Sequence, residues 1–294
     1  MEATMLKIER ILCPVDFSEF STRAYEYAHS FARQYRAKLF VQHVAEPFLS
    51  IHHTQISQDL IDQVYSQEVA EVKQKVRELA APGAEVEPEI VLERGPVADS
   101  ILQFAECRDI DLIAMGTHGR RGLDRVVLGS VAERVLRKAR CPVLAVHGPA
   151  EGSATAGDKT VQLRKILFCT DFSDNSPRAL EYAFLLACQY KAEISLLHVI
   201  ERSSGGKDVD AEKQQVLQHL QTVVPENVRK CATVVPAVRA GKAYEQILEH
   251  AAETQADLIV MGVRGRNAVD LALFGSTTHR VIQLGSRPVL VVRT

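Results

Sequence analysis

Short apolar runs alternate along the chain with longer stretches in which apolar residues return every three or four positions. Residues 11–15, 39–44, 86–92, 112–115 and 143–146 are of strand length and rich in valine, isoleucine and leucine. Between the first two runs, Ala24, Tyr27, Ala28, Phe31 and Tyr35 recur at helical spacing and predict a single apolar stripe facing a core. Strands that alternate with helices predict a parallel sheet covered by helices on both faces and joined by right-handed crossovers.

The whole pattern then occurs a second time. Residues 8–44 align with 163–199 without a gap, and nearly half the positions are identical; 111–146 align with 257–292. The helical stripe returns as Ala179, Tyr182, Ala183, Leu186 and Tyr190, with Pro177 suited to a first turn and Ser176 to an N-cap. Copies of about 140 residues are domains rather than solenoid repeats. The expected organisation is therefore one domain at 1–148, a small, polar, glycine-containing linker at 149–160, and a second domain at 161–294. Five strands per domain is the economical count. The copies differ after the second strand, where the first has a long segment at 47–80 and the second a shorter, polar one. That segment lies over the carboxyl edge of the sheet, as a lid or as a plain surface insertion.

Composition narrows the function. The chain has 294 residues, 46% hydrophobic and 24% charged, with a formal charge of -2. This suits globular domains and lacks the basic excess that nucleic acid demands, so no nucleic-acid partner is expected. No run reaches the roughly 18 apolar residues of a membrane span, and the first residues lack the apolar core of a signal peptide, so no membrane partner is expected either. Cys13, Cys107, Cys141, Cys169, Cys188 and Cys231 are scattered, several inside apolar runs, and none forms C-x-x-C. They read as reduced, structural residues of a cytoplasmic protein without a disulfide.

Two signals in each copy fall just after strands, where open α/β sheets hold ligands. Asp16-Phe17-Ser18 follows the first strand and returns as Asp171-Phe172-Ser173. Gly116-Thr117-His118-Gly119 follows the fourth strand and precedes Gly129-Ser130 by nine residues; Gly262-Val263-Arg264-Gly265 and Gly275-Ser276 repeat the spacing. Glycines let backbone turn sharply and approach a ligand, and a helix opening at Gly-Ser offers unpaired amides and a dipole to an anion. Arg120, Arg121 and Arg125 add positive charge, which Arg266 partly repeats. An aspartate nearby can accept hydrogen bonds from ribose hydroxyls or a base amino group. A single Gly-Ser pair before a helix would be only a turn and a cap; it is the doubling, each time with an aspartate, that points to phosphate.

The pattern G-x-x-G, nine residues, then G-[ST] resembles the ATP-binding signature of the universal stress protein family, and Asp16 and Asp171 match that family's aspartate. His43-Val44 and His198-Val199 resemble its strand-two end, whose backbone meets adenine. The resemblance spans both domains. It implies Rossmann-like, five-stranded parallel sheets of order 3-2-1-4-5, ATP or a related adenine nucleotide as cofactor, with Mg²⁺ compatible, and a role in stress survival. It also implies that Gly116, Gly119, Gly129 and Ser130 hold phosphates, as do Gly262, Gly265, Gly275 and Ser276, with Val44 and Val199 at adenine. Val263 and Arg264 depart from the first loop's Thr-His pair. No Walker motif, S-G-G-x-D-S, H-I-G-H, zinc-spaced ligand set or recurring catalytic set occurs. His52-His53 read as surface residues. The expectation is thus a nucleotide-binding signalling module, with no catalytic or metal-ligating residue assigned. Slow ATP hydrolysis and a nucleotide-independent interaction protein are the other readings, and the protein partner is unassigned. In the implied strand order the fifth strand is an edge. Pairing of 143–146 with 289–292, antiparallel, would give an internal pseudo-dimer, and a homodimer of whole chains stays open.

Overall fold

The computed structural model describes residues 6–45, 58–79, 85–119, 128–148, 161–174, 176–201, 209–263 and 275–293. In the first half, β1 (Arg10–Pro14), α1 (Glu19–Tyr35), β2 (Lys38–Ala45), α2 (Gln58–Leu79), β3 (Glu89–Arg94), α3 (Val97–Cys107), β4 (Leu112–Gly116), α4 (Ser130–Lys138) and β5 (Val143–Val146) follow one another. The second half runs β6 (Lys165–Thr170), α5 (Ser176–Tyr190), β7 (Glu193–Ile200), α6 (Val209–Thr222), α7 (Glu226–Cys231), β8 (Thr233–Ala240), α8 (Ala243–Glu253), β9 (Leu258–Val263), α9 (Ser276–Leu284) and β10 (Val289–Arg293). Among the described residues no helix is long and apolar enough to cross a membrane.

Local chemistry sets these elements. Ser18 caps α1, its hydroxyl accepting from the Ser21 amide at 3.2 Å, and Glu19 suits the positive end of the helix. The helix stops at Arg36, whose left-handed backbone lets its amide close onto the Ala32 and Arg33 carbonyls. Lys191 adopts the same conformation after α5. Asp111, just before β4, accepts from the Glu9 and Arg10 amides at 2.8 and 2.9 Å; Asp257 does the same for Arg164 and Lys165. These clasps fix the first strand of each half beside its fourth. The third strand starts at Glu89 rather than at 86, because Pro88 has no amide to donate and pairing begins beyond it, at Phe40↔Glu89. Ser176 is the first residue of α5 rather than its cap: it is buried, and its hydroxyl turns back to Asp171.

All ten strands form one sheet, β3-β2-β1-β4-β5-β10-β9-β6-β7-β8. Each half has the order 3-2-1-4-5 with parallel pairing, and the two fifth strands join them antiparallel, as Val289↔Ala145, Leu290↔Leu144 and Val291↔Val143. Pro142 and Pro288 sit just before these strands and only accept, from the Ile113 and Ile259 amides, both at 3.0 Å. Side chains alternate between the two faces of the sheet, so each apolar layer runs unbroken across the junction. One layer holds Ile11, Leu112, Leu144, Leu290, Val260 and Phe168. The other holds Leu12, Ile113, Val143, Val291, Ile259 and Leu167. Helices reinforce the seam: Phe31 of α1 meets Tyr190 of α5, ring centroids 6.0 Å apart, and Gln34 and Gln189 each donate to the other's carbonyl at 3.3 Å.

A second clasp crosses the junction. His147, after β5, donates from Nε2 to the Ile282 carbonyl in the last turn of α9 at 2.5 Å. Arg293, at the matching place in β10, donates to the Arg137 carbonyl of α4. Each half thus satisfies a terminal carbonyl of the other half's Gly-Ser helix.

One expectation is corrected. Cys188 of α5 and Cys231, the last residue of α7, are joined in a disulfide with Cα atoms 5.0 Å apart. A separation of 43 residues hides the contact, which arises because α7 packs on α5. Cys13, Cys107, Cys141 and Cys169 are free thiols.

Two predictions follow from the seam. Leu144 and Leu290 lie opposite each other, 0% and 2% exposed. Leu144→Ala is expected to cost about 3 kcal/mol, and Leu144→Lys with Leu290→Lys to part the halves. Small-angle scattering should show the double variant expanded; a profile and urea midpoint equal to the parent's would refute the pairing. The second concerns pH. Burial holds the His147 pKa below its ordinary 6.5. The unfolded chain therefore takes up a proton near that value before the folded one does. Stability is full above it and declines as pH falls from there to the folded pKa, by up to about 1.4 kcal/mol per pH unit. His250, depressed by burial and by Arg239, adds to the decline. In His147→Gln, which keeps a donor, urea titrations between pH 7 and 5 should fall less steeply; an unchanged slope would remove His147 from the account.

Candidate functional site

Strand order reverses between β1 and β4, and the carboxyl ends of these strands mark the switch point at which open α/β sheets hold ligands. Asp16 enters it directly after β1. Its Oδ1 accepts from the Ser18 amide at 3.0 Å and from the Ser18 hydroxyl at 2.6 Å. Gly119 passes against the other carboxylate oxygen, so close that an added Cβ would lie 2.8 Å from Oδ2. The aspartate and the glycine loop, 103 positions apart in sequence, meet here. Gly116 is equally constrained, since a Cβ there would come within 2.8 to 3.1 Å of the Phe20 main chain and Cβ.

Gly129 is the N-cap of α4. Its amide donates to the Thr117 carbonyl at 2.9 Å, and no side chain caps the helix. Ser130 is exposed at the first helical position. The Ser130, Val131 and Ala132 amides open α4 without intrahelical partners, and together with the helix dipole they make a setting that favours an anion. Thr117 and His118 are buried beneath the loop. The Thr117 hydroxyl lies 3.0 Å from His118 Nδ1, and the His118 ring packs on Phe20 at 4.9 Å. This pair is an anchor for the loop.

On the other side of β1, the Gln42 carbonyl accepts from the Val15 amide at 2.8 Å. Backbone groups of alternate residues face the same neighbour. Val44 therefore turns its N–H and C=O in that direction too, past the end of β1 and over the crevice. His43 steadies this corner: its Nδ1 lies 2.7 Å from the Val15 carbonyl. Phe17 completes it with a left-handed backbone, φ 63°, and its ring 5.1 Å from that of His43. Lys75 of α2 reaches over the Phe17 ring at 5.3 Å, which puts the helix of the 47–80 segment beside the site.

The second half repeats the corner. Phe172 has φ 57°, its ring stacks on His198 at 4.7 Å, and His198 Nδ1 lies 2.9 Å from the Thr170 carbonyl. Val199 follows, beyond the last β6 pair. His219 of α6 takes the place of Lys75, edge-on to Phe172 at 4.8 Å. Asp171 Oδ1 accepts from the Ser173 amide at 2.9 Å and the Ser176 hydroxyl at 3.1 Å. Burial pushes the Asp171 pKa up, but the hydrogen bonds from Ser173 and Ser176 outweigh it and hold the group below its ordinary value. Gly262 is the penultimate residue of β9, near the carboxyl edge. Gly275 caps α9 without a side-chain bond, and Ser276 is exposed. Val263, buried, stands where the first loop has Thr117. Gly265, Arg264, Arg266, Arg120, Arg121, Arg125 and His52-His53 lie outside the described residues.

Sequence reading missed Phe17 and Phe172 as site residues, along with the side-chain role of His43 and His198. The signal was present in the repeated Asp-Phe-Ser and His-Val words. Two phenylalanines with positive φ at matching places are a strained feature kept in both halves.

Two doubly wound units fused edge to edge, each with a crevice at its switch point, make this a tandem Rossmann-like α/β protein. The sequence model of the universal stress protein family matches residues 7–147 and 162–293, and the chain belongs to that family. A universal stress protein of Methanocaldococcus jannaschii is 37% identical over 144 residues, covering 48% of this chain and 83% of its own. One of Bacillus subtilis is 32% identical over 145 residues, covering 44% and 98%. Each of these matches about half of the present chain. The crystal structure of a universal stress protein from Archaeoglobus fulgidus aligns with TM-score 0.69 at 24% identity, over 98% of this chain and 97% of its own, a likeness of fold.

The glycines are not equivalent. Gly116 is hemmed in by Phe20, whereas a Cβ at Gly275 would meet, among the described residues, only the Thr278 hydroxyl, at 3.7 Å. Gly116→Ala should therefore cost at least about 2 kcal/mol, and Gly275→Ala no more than about 0.5 kcal/mol. Equal urea midpoints for the two variants would contradict these geometries.

Proposed function

We propose that each half binds one adenine nucleotide, ATP or a close relative, and that the protein acts as a nucleotide-binding module of the stress response in the cytoplasm. The units are taken as 1–148 and 161–294, joined by 149–160. The observation that carries the reading is the meeting of Asp16, Gly119 and the open α4 N-terminus at one switch point.

The residues fit the group. Phosphates would lie at the Gly129-Ser130 opening of α4, on the Ser130 amide and hydroxyl, the Gly129 amide being held by the Thr117 carbonyl, while Gly116 and Gly119 let the loop pack close against Phe20 and Asp16. Asp16, held in place by the Ser18 amide and hydroxyl, would offer its carboxylate to a ribose hydroxyl. The N–H and C=O of Val44 can donate to and accept from an adenine edge, as one strand reads another. In the second half the same roles fall to Gly262, Gly265, Gly275, Ser276, Asp171 and Val199. Mg²⁺ would arrive with the phosphates. Nothing at the site is assigned to bond cleavage, and the reading is therefore a binding module.

Ser130 and Ser276 give a clean test. Both are exposed at the first position of a helix, where an aspartate suits the dipole and leaves folding intact. The new charge would repel phosphate. Calorimetric titration of the full chain with MgATP should give two sites. Ser130→Asp and Ser276→Asp should each weaken one of them at least about tenfold, and the double variant should lose both. Undiminished binding in the double variant would overturn the phosphate assignment. Absence of binding by the parent would favour a nucleotide-independent interaction protein. Release of labelled phosphate in single-turnover mixtures would favour a hydrolase.

A further inference from the structure

The six cysteines fall into distinct environments. Cys13 and Cys169 are buried in the two core layers, and burial raises both thiols far above the ordinary value. Burial also pushes Cys141 up to about 12. Cys107 is exposed and is a free thiol. Cys188 and Cys231 alone are within bonding reach, Cα to Cα 5.0 Å, and both are half-buried rather than sealed in the core. The aligned position in the first half is Arg33, so the pair belongs to the second half.

Their placement gives the bond a consequence. Cys188 lies in the last turn of α5, and Cys231 ends α7 just before β8. The chain between them makes up β7, α6 and α7, the excursion that brings His219 against Phe172. A bond at its two ends closes this excursion into a loop tied to α5. The first half has no such tie among its described residues.

We propose that Cys188 and Cys231 are a reversible redox couple, oxidised by peroxide, that staples the α6–α7 excursion of the second half to α5. One thiol is oxidised by hydrogen peroxide to a sulfenic acid with release of water. The second thiol attacks that sulfur, the S–S bond forms, and a second water leaves. Two electrons pass from the two thiols to one peroxide. An external dithiol reverses the step by exchange. This proposal is independent of nucleotide binding.

The test counts thiols and reads stability on the full chain. After dithiothreitol, the unfolded protein should take up six N-ethylmaleimide labels by intact mass, as the sequence has six cysteines. After a short exposure to peroxide it should take up four, with a digest yielding one cross-linked product of the peptides around Cys188 and Cys231; dithiothreitol should restore six. The oxidised protein should melt roughly 5 °C or more above the reduced one, as expected for closure of a loop this long. Cys188→Ser and Cys231→Ser should each lose the cross-link and the shift, while Cys107→Ser keeps both. Six labels remaining after peroxide, a bond between other cysteines, oxidation confined to Cys107, or equal melting of the two forms would overturn the proposal. Should a serine variant fold poorly, the oxidised and reduced forms of the parent still decide the matter.

Discussion

The hydrogen-bonded meeting of β5 and β10 is the constraint on which the rest depends. A parallel sheet of order 3-2-1-4-5 leaves its fifth strand with one row of unpaired amides and carbonyls. Here the row of one half is satisfied by the row of the other, and Leu144 lies opposite Leu290. The alternating side chains then extend both apolar layers across the seam. Two units that could be beads on a linker become one body because an edge is removed and two half-cores are completed at once. The outer edges, β3 and β8, face no such partner in the sheet, and β8 carries Pro236 in its pairing with β7.

Antiparallel joining has a geometric result. Carboxyl ends of the strands in one half lie at the same side of the sheet as amino ends in the other, so the two crevices open on opposite edges. They are nonetheless tied together. His147 and Arg293 leave the central strands and reach the last turns of α9 and α4, the helices whose first turns begin at Gly275-Ser276 and Gly129-Ser130. Each crevice helix is thus closed at its far end by the other half. The halves have also diverged: Thr117 and His118 anchor the first glycine loop, Val263 replaces the threonine in the second, and only the second half has the Cys188–Cys231 bond.

Much of this was legible from residues. The gapless repeat revealed two copies, apolar periodicity placed the five strands and the first helix of the first half close to their positions, and family resemblance supplied the strand order that makes 143–146 an edge. Asp16 and the glycine loop were recognisable as partners because both follow strands. What stayed hidden depends on backbone conformation or distant packing. The left-handed turn at Phe17 has no glycine to mark it, and the His43 contact with the Val15 carbonyl needs β2 already in register with β1. The disulfide needs α7 on α5. Gly129 also proved more crowded than expected: a Cβ would come 3.1 Å from the Thr117 carbonyl, so bulk there disturbs the loop itself as well as any ligand.

The seam makes one body of the two halves, and hydrogen exchange of the intact, unliganded chain examines it directly. Amides in 143–146 and 289–292 should belong to the slowest class and open only with global unfolding, because these strands are paired on both sides. Those of β3 and β8 should exchange faster, as outer strands of the same sheet. Exchange of the two central strands at the rate of β3 and β8 would mean that the fifth strands are free edges, and would contradict the account.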